Sequence, residues 1–187
     1  MNKKCIALNT QEYHQIIDTM TAGFSGCRSN VRVATALKVE AILGIRIGDI
    51  LKLKLNNIIL DGDRYRLEIK EEKTQKSRTF TVPNAIYTFL QDYCLENGLG
   101  KNERIFPISE RAVQKQLKLV CDYLQLENIS THSFRKYFAT QIYINNNYNI
   151  VLVQHLLQHS SPNITQRYIG ISSQEIEQAL QNHIYLL

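Results

Sequence analysis

Thr131-His132-Ser133-Phe134-Arg135 is followed by Leu156-Leu157-Gln158-His159-Ser160-Ser161 and then by Gln166-Arg167-Tyr168. The three segments offer a phenol as nucleophile, two imidazoles that can move or share protons, and a guanidinium whose fork fits a phosphate. That set suits phosphoryl transfer through a covalent intermediate. His132 and Arg135 are spaced i, i+3 at the start of a helix, so both point the same way. The N-terminus of that helix adds partial positive charge where an anion would bind. A free phenol is a poor nucleophile at neutral pH, so a tyrosine in this role needs cations around it.

In this order, His-x-x-Arg, then Leu-Leu-x-His, then Tyr, the segments resemble the signature of the tyrosine recombinases, also called the phage integrase family. The resemblance runs from about Leu8 to Leu180 and extends to two upstream boxes. The first box of the family is commonly Gly-x-Arg-x-x-Glu followed by Leu-x-Leu; here it reads Gly44-Ile45-Arg46-Ile47-Gly48-Asp49, with Leu51-Lys52-Leu53 after it. Asp49 stands where the family usually has Glu, in a supporting place where a one-carbon shortening is tolerable. The second box is Lys73-Thr74, followed by Gln75-Lys76-Ser77-Arg78 and, after a short strand, Pro83. In the family a lysine on a β-hairpin delivers a proton to the leaving 5′ oxygen. Lys73 takes that role here, with Lys76 as the competing assignment. A second departure is Gln158, which replaces the glycine of the family's Leu-Gly-His and puts the local backbone conformation in question.

The resemblance implies a site of six residues: Arg46, Lys73, His132, Arg135, His159 and Tyr168. Arg46 and Arg135 would clamp the phosphate, and His132 would bind it or accept the tyrosine proton. His159 would donate to a non-bridging oxygen, and Tyr168 would attack. The implied activity is site-specific cleavage and rejoining of double-stranded DNA through a 3′-phosphotyrosyl link, for integration or excision of a mobile element. No metal and no other cofactor is implied, because the covalent link conserves the phosphodiester energy. His155 and His159 form an i, i+4 pair, but Leu156 stands where the zincin motif needs Glu; His155 is read as a packing or surface residue. Two other readings stand beside recombination: relaxation of DNA in the manner of a type IB topoisomerase, and a DNA-binding paralogue without cleavage.

Around these boxes the chain reads as a mostly helical α+β domain with one three-stranded antiparallel sheet. Helices are expected over about 11–21 with Thr10 as N-cap, 31–43 with Asn30 as N-cap, and 47–53. Strands follow at 57–60, 65–70 and 79–82, then helices to Glu96 and over 109–125, 132–145, 149–158 and 173–184. Arg111, Lys115 and Lys118 recur on one face of the 109–125 helix, which makes them, with Lys76 and Arg78, candidate DNA contacts.

The 187 residues, with 44% hydrophobic and 21% charged, suit one globular domain of residues 1–187, and a net charge of +5 is compatible with a polyanionic partner. The four cysteines show no Cys-x-x-Cys pair and read as reduced thiols. No membrane span or secretory leader is legible, so a cytoplasmic, nucleoid-associated bacterial protein is expected. The N-terminal helical domain that usually completes the family's clamp on DNA has no counterpart, which leaves open an excised domain or a short form. The segment 173–187 is amphipathic; it either packs on its own domain or docks on a neighbour in a dimeric or tetrameric assembly on DNA.

Overall fold

A computed structural model describes residues 5–70, 75, 77–159, 162–166, 168, 169 and 181. Lys73, Lys76 and all but one residue of the 173–187 segment lie outside the described residues. The element order is α1 (Thr10–Ala22), α2 (Val31–Leu43), α3 (Ile47–Ile50), a 3₁₀ turn, β1 (Ile58–Asp61), β2 (Arg64–Lys70), β3 (Ser77–Val82), α4 (Asn84–Glu96), α5 (Glu110–Tyr123), α6 (Thr131–Asn145), α7 (Ile150–Leu157) and α8 (Pro162–Gln166). The expected α+β class, mostly helical with one small sheet, is what the chain adopts.

Helix α2 is the axle. Nine of its residues are buried, among them Thr35 and Glu40 as well as Val33, Ala36, Leu37 and Leu43. It packs against α1 on one side and α6 on the other, so nearly its whole circumference is core rather than one stripe. An exception is Ile42, which is 39% exposed. Asn30 caps α2 by accepting from the Val33 N–H at 3.2 Å. Gly44 ends it in the left-handed region (φ 60°, ψ 23°), which redirects the chain into α3.

At two of the boundaries that differ from the sequence reading, hydrogen bonds explain the difference. Helix α1 is capped by Asn9 rather than Thr10, because Asn9 and Glu12 form a reciprocal capping box: the Asn9 side chain accepts from Glu12 N at 2.8 Å, and Glu12 Oε2 accepts from Asn9 N at 2.9 Å. Helix α3 stops at Ile50 instead of Leu53, because the Leu53 carbonyl accepts from Ile105 N at 2.9 Å and Lys54 bridges to Arg104. The backbone groups that would have continued the helix are claimed by a distant segment.

The sheet runs β1-β2-β3, antiparallel throughout. Ile58 lies opposite Leu67, and Leu67 opposite Phe80. Leu67 is fully buried, and Tyr65 stacks on Tyr87 of α4 at 3.8 Å between ring centroids. The alternation of β2 thus turns one face onto α4 and leaves Arg66 and Glu68 on the other, where they pair at 3.2 Å.

Candidate active site

Five local structures converge on one cavity of about 480 Å³, lined by Glu40, Arg46, Ile47, Gly48, Asp49, Glu110, Thr131, His132 and Tyr168. Arg46 enters from the turn after α2, where it occupies the N-cap position of α3 with extended backbone. Asp49, buried in the same short helix, gives its N–H to the Arg46 carbonyl at 2.9 Å. The cavity wall therefore combines a guanidinium with the N-terminus of α6, whose first residues are Thr131 and His132.

His132 and Tyr168 meet there. His132 Nε2 stands 2.5 Å from the Tyr168 hydroxyl, and the two rings are edge-on with centroids 5.0 Å apart. When Nε2 carries no proton it accepts from the phenol; when protonated it donates. Only in the first state does the hydroxyl proton have an acceptor in Nε2. Tyr168 is held by its own backbone, whose N–H donates to the Thr165 carbonyl at 2.8 Å at the end of α8.

His159 packs on the other side of the tyrosine, with ring centroids 4.5 Å apart. Its Nδ1 pairs with the hydroxyl of the fully buried Thr165 at 3.0 Å, which fixes the ring. The preceding Gln158 adopts the left-handed conformation (φ 53°, ψ 40°) and caps α7. This is the conformation a glycine takes without strain, so the Gln-for-Gly departure is accommodated in backbone shape and costs about 1 kcal/mol of local strain.

Arg135 sits differently from its expected place. It is fully buried beneath the site, and it is not among the residues that line the cavity. Nη1 donates to the Gly44 carbonyl, and Nη2 to the Leu157 carbonyl at 3.0 Å. Its fork thus ties the end of α2 to the end of α7, and its charge acts on the site from below.

The remaining expected residues scatter. Arg78 lies in β3 opposite Ile69, and its side chain is outside the described residues. Arg111 and Lys115 are exposed on α5, and Lys118 pairs with Asp122 one turn on at 3.3 Å. The buried side of α5 is Val113, Leu117, Val120 and Cys121. Cys94 is buried too, whereas Cys5 and Cys27 are partly exposed. Burial, with Asp122 and Glu12 nearby, pushes the Cys121 thiol up to about 12. Among the described residues, no group of three or more His, Cys, Asp or Glu side chains could hold a metal ion.

Three site residues escaped sequence reasoning. Lys136, one turn after His132, is buried; its Nζ donates to the Cys5 carbonyl at 2.6 Å and lies 5.9 Å from the Tyr168 ring centroid. Thr165 had no signal of its own. Glu40 did: it is a lone acid in the apolar run Lys38-Val39-Glu40-Ala41-Ile42.

The family model described as Phage integrase family matches residues 7–175. The chain belongs to this family. Among curated relatives, "Probable integrase/recombinase YoeC" of Bacillus subtilis is 32% identical over 134 residues, 68% of this chain and 71% of that protein. "Tyrosine recombinase XerH" of Helicobacter pylori is 23% identical across 95% of this chain and 52% of its own length. Among solved structures, the XerH recombinase in a post-cleavage complex with a palindromic difH substrate has a TM-score of 0.72 at 23% identity, over 96% of this chain and 53% of that one. The chain thus spans about half the length of XerH. At this identity the likeness shows the integrase fold, and no helix among the described residues is long and apolar enough to cross a membrane.

Proposed function

We propose that this integrase-family chain is the catalytic unit of a site-specific DNA recombinase that breaks and rejoins double-stranded DNA for integration or excision of a mobile element. The observation that carries the reading is the Tyr168 hydroxyl 2.5 Å from His132 Nε2, on the wall of a cavity that also holds Arg46. The scissile phosphate enters that cavity, with Arg46 neutralising its non-bridging oxygens. His132 accepts the phenol proton as Tyr168 Oη attacks phosphorus in line. The P–O5′ bond breaks, Lys73 (or Lys76) protonates the leaving oxygen, and a 3′-phosphotyrosine remains. His159 supplies a further donor to the phosphate, Arg135 adds positive charge beneath it, and Asp49 supports the Arg46 turn. Rejoining is the reverse, with the 5′ hydroxyl of a partner strand as nucleophile and no other cofactor.

The partner is duplex DNA, gripped through phosphates by Lys76, Arg78, Arg111, Lys115 and Lys118. The working form is an assembly of several copies on DNA, with the 173–187 segment docking on a neighbour. Relatives such as YoeC and XerH are bacterial, which supports a place on the nucleoid in the bacterial cytoplasm. The test is a nicked suicide duplex carrying the element's attachment site. The protein should form a covalent adduct, and Tyr168→Phe should form none while still binding the duplex. An adduct that persists in Tyr168→Phe would refute the nucleophile. Binding without any adduct would favour a non-cleaving paralogue, and relaxed circles without recombinants would favour a topoisomerase.

A further inference from the structure

Glu40 is a carboxyl with 1% of its surface exposed, and it lines the cavity that Arg46 and His132 also line. One carboxyl oxygen takes the backbone N–H of Ile47, the first residue of α3. Oε2 has no hydrogen-bond partner among the described residues. The N-cap of α3 is Arg46, whose own side chain makes no capping bond; Glu40, reaching across from α2, supplies the cap instead. On its other side lies the positive charge of Arg135 from α6. Glu40 thus touches the turn that presents one arginine and faces the charge of the other.

We infer that Glu40 is a positioning residue for the anion-binding pocket, fixing the turn that presents Arg46 and orienting it relative to Arg135. The inference rests on the reading of this cavity as a phosphate site. Glu40 does not touch the substrate; it sets where Arg46 stands. A misplacement of about 1 Å in a clamping group can cost about 10²-fold in rate.

The protonation state matters. The groups facing Glu40 are Arg135 on α6 and Glu110 on α5, and Arg46, Asp49 and His132 share the cavity. Burial, with some help from Glu110, holds the Glu40 carboxyl well above the usual carboxylate range, and Arg135 and the Ile47 N–H only partly oppose that. A raised carboxyl contributes stability that is full below the ordinary carboxylate pKa and is lost as pH rises through the folded-state value. The neutral form also spares the incoming phosphate a buried negative charge beneath it.

The experiment uses inorganic sulfate, whose charge is constant across the range, as the probe of the pocket. Thermal unfolding of the full chain is followed with and without sulfate from acid to alkaline pH. Sulfate should raise the melting temperature of the wild type and of Glu40→Gln, which keeps the acceptor for Ile47. In Glu40→Leu, and in the control Arg46→Ala, that gain should be lost. The wild-type gain should fall more steeply with pH than that of Glu40→Gln. Should Glu40→Leu fail to fold, the comparison of slopes between wild type and Glu40→Gln decides alone. A full sulfate response in Glu40→Leu, or identical slopes in wild type and Glu40→Gln, overturns the inference. The suicide-duplex assay is run alongside. If wild type forms no adduct while the sulfate pattern holds, the recombinase reading fails and the role of Glu40 stands.

Discussion

Gly44→Ala should lower stability by about 1–5 kcal/mol. Gly44 holds φ 60°, ψ 23° at the end of α2. An L-residue there costs about 1–2 kcal/mol. A Cβ at this position would fall well inside contact distance of the Phe138 ring, at Cδ1, Cε1 and Cγ. Phe138 is 8% exposed and packs with Ala139, Val153 and Leu157, so the ring has little room to retreat. Overpacking of this kind costs about 1–3 kcal/mol, and the stiffer unfolded chain of an alanine variant returns about 0.4–1 kcal/mol. For a domain of this size the melting temperature should fall by about 2–4 °C for each kcal/mol. Gly62 provides the internal control: φ is 67°, and a Cβ there meets nothing within 4 Å. Gly62→Ala should therefore carry the conformational cost alone. The assay is thermal unfolding of the two variants beside the wild type. If Gly44→Ala melts no lower than Gly62→Ala, the packing argument is wrong. Because the Gly44 carbonyl accepts from Arg135, Gly44→Ala should also slow adduct formation on the suicide duplex, whereas Gly62→Ala should not.

Asn9→Ala removes one half of a capping box and should destabilise the fold by about 1 kcal/mol; a chemical denaturation midpoint unchanged from wild type would contradict the Asn9 cap. Thr165→Val deletes the partner of His159 Nδ1 without changing the buried volume much; it should slow covalent adduct formation about tenfold while duplex binding stays as in wild type, and an equal rate would show that the ring needs no such anchor. Cys121, with its thiol pushed up to about 12 inside the core, should resist iodoacetamide in the native protein at pH 8 and react after unfolding, read by mass spectrometry; native labelling of Cys121 ahead of Cys5 and Cys27 would refute its burial.

The candidate site was legible in the linear chain because the chemistry proposed for it asks for particular side chains, and residue type and order carry that. Gly44-Ile45-Arg46, His132-Ser133-Phe134-Arg135, His159 and Tyr168 could be picked out without knowing any distance. Most elements were legible too, because Asn30, Gly44 and Pro83 mark ends through local hydrogen bonding and backbone preference. What tertiary structure alone decided is which partners these groups have. Leu53 leaves its helix because Ile105 takes its carbonyl. Arg135 spends two donors on Gly44 and Leu157, 91 and 22 residues away, and becomes the fully buried foundation of the site. Glu40, an oddity in an apolar helix, acquires meaning only when α3 and α6 fold against it. Sequence determines the chemical groups and the local geometry because both are short-range; burial, electrostatic pairing and the reach of one helix to another arise when distant segments exclude water together.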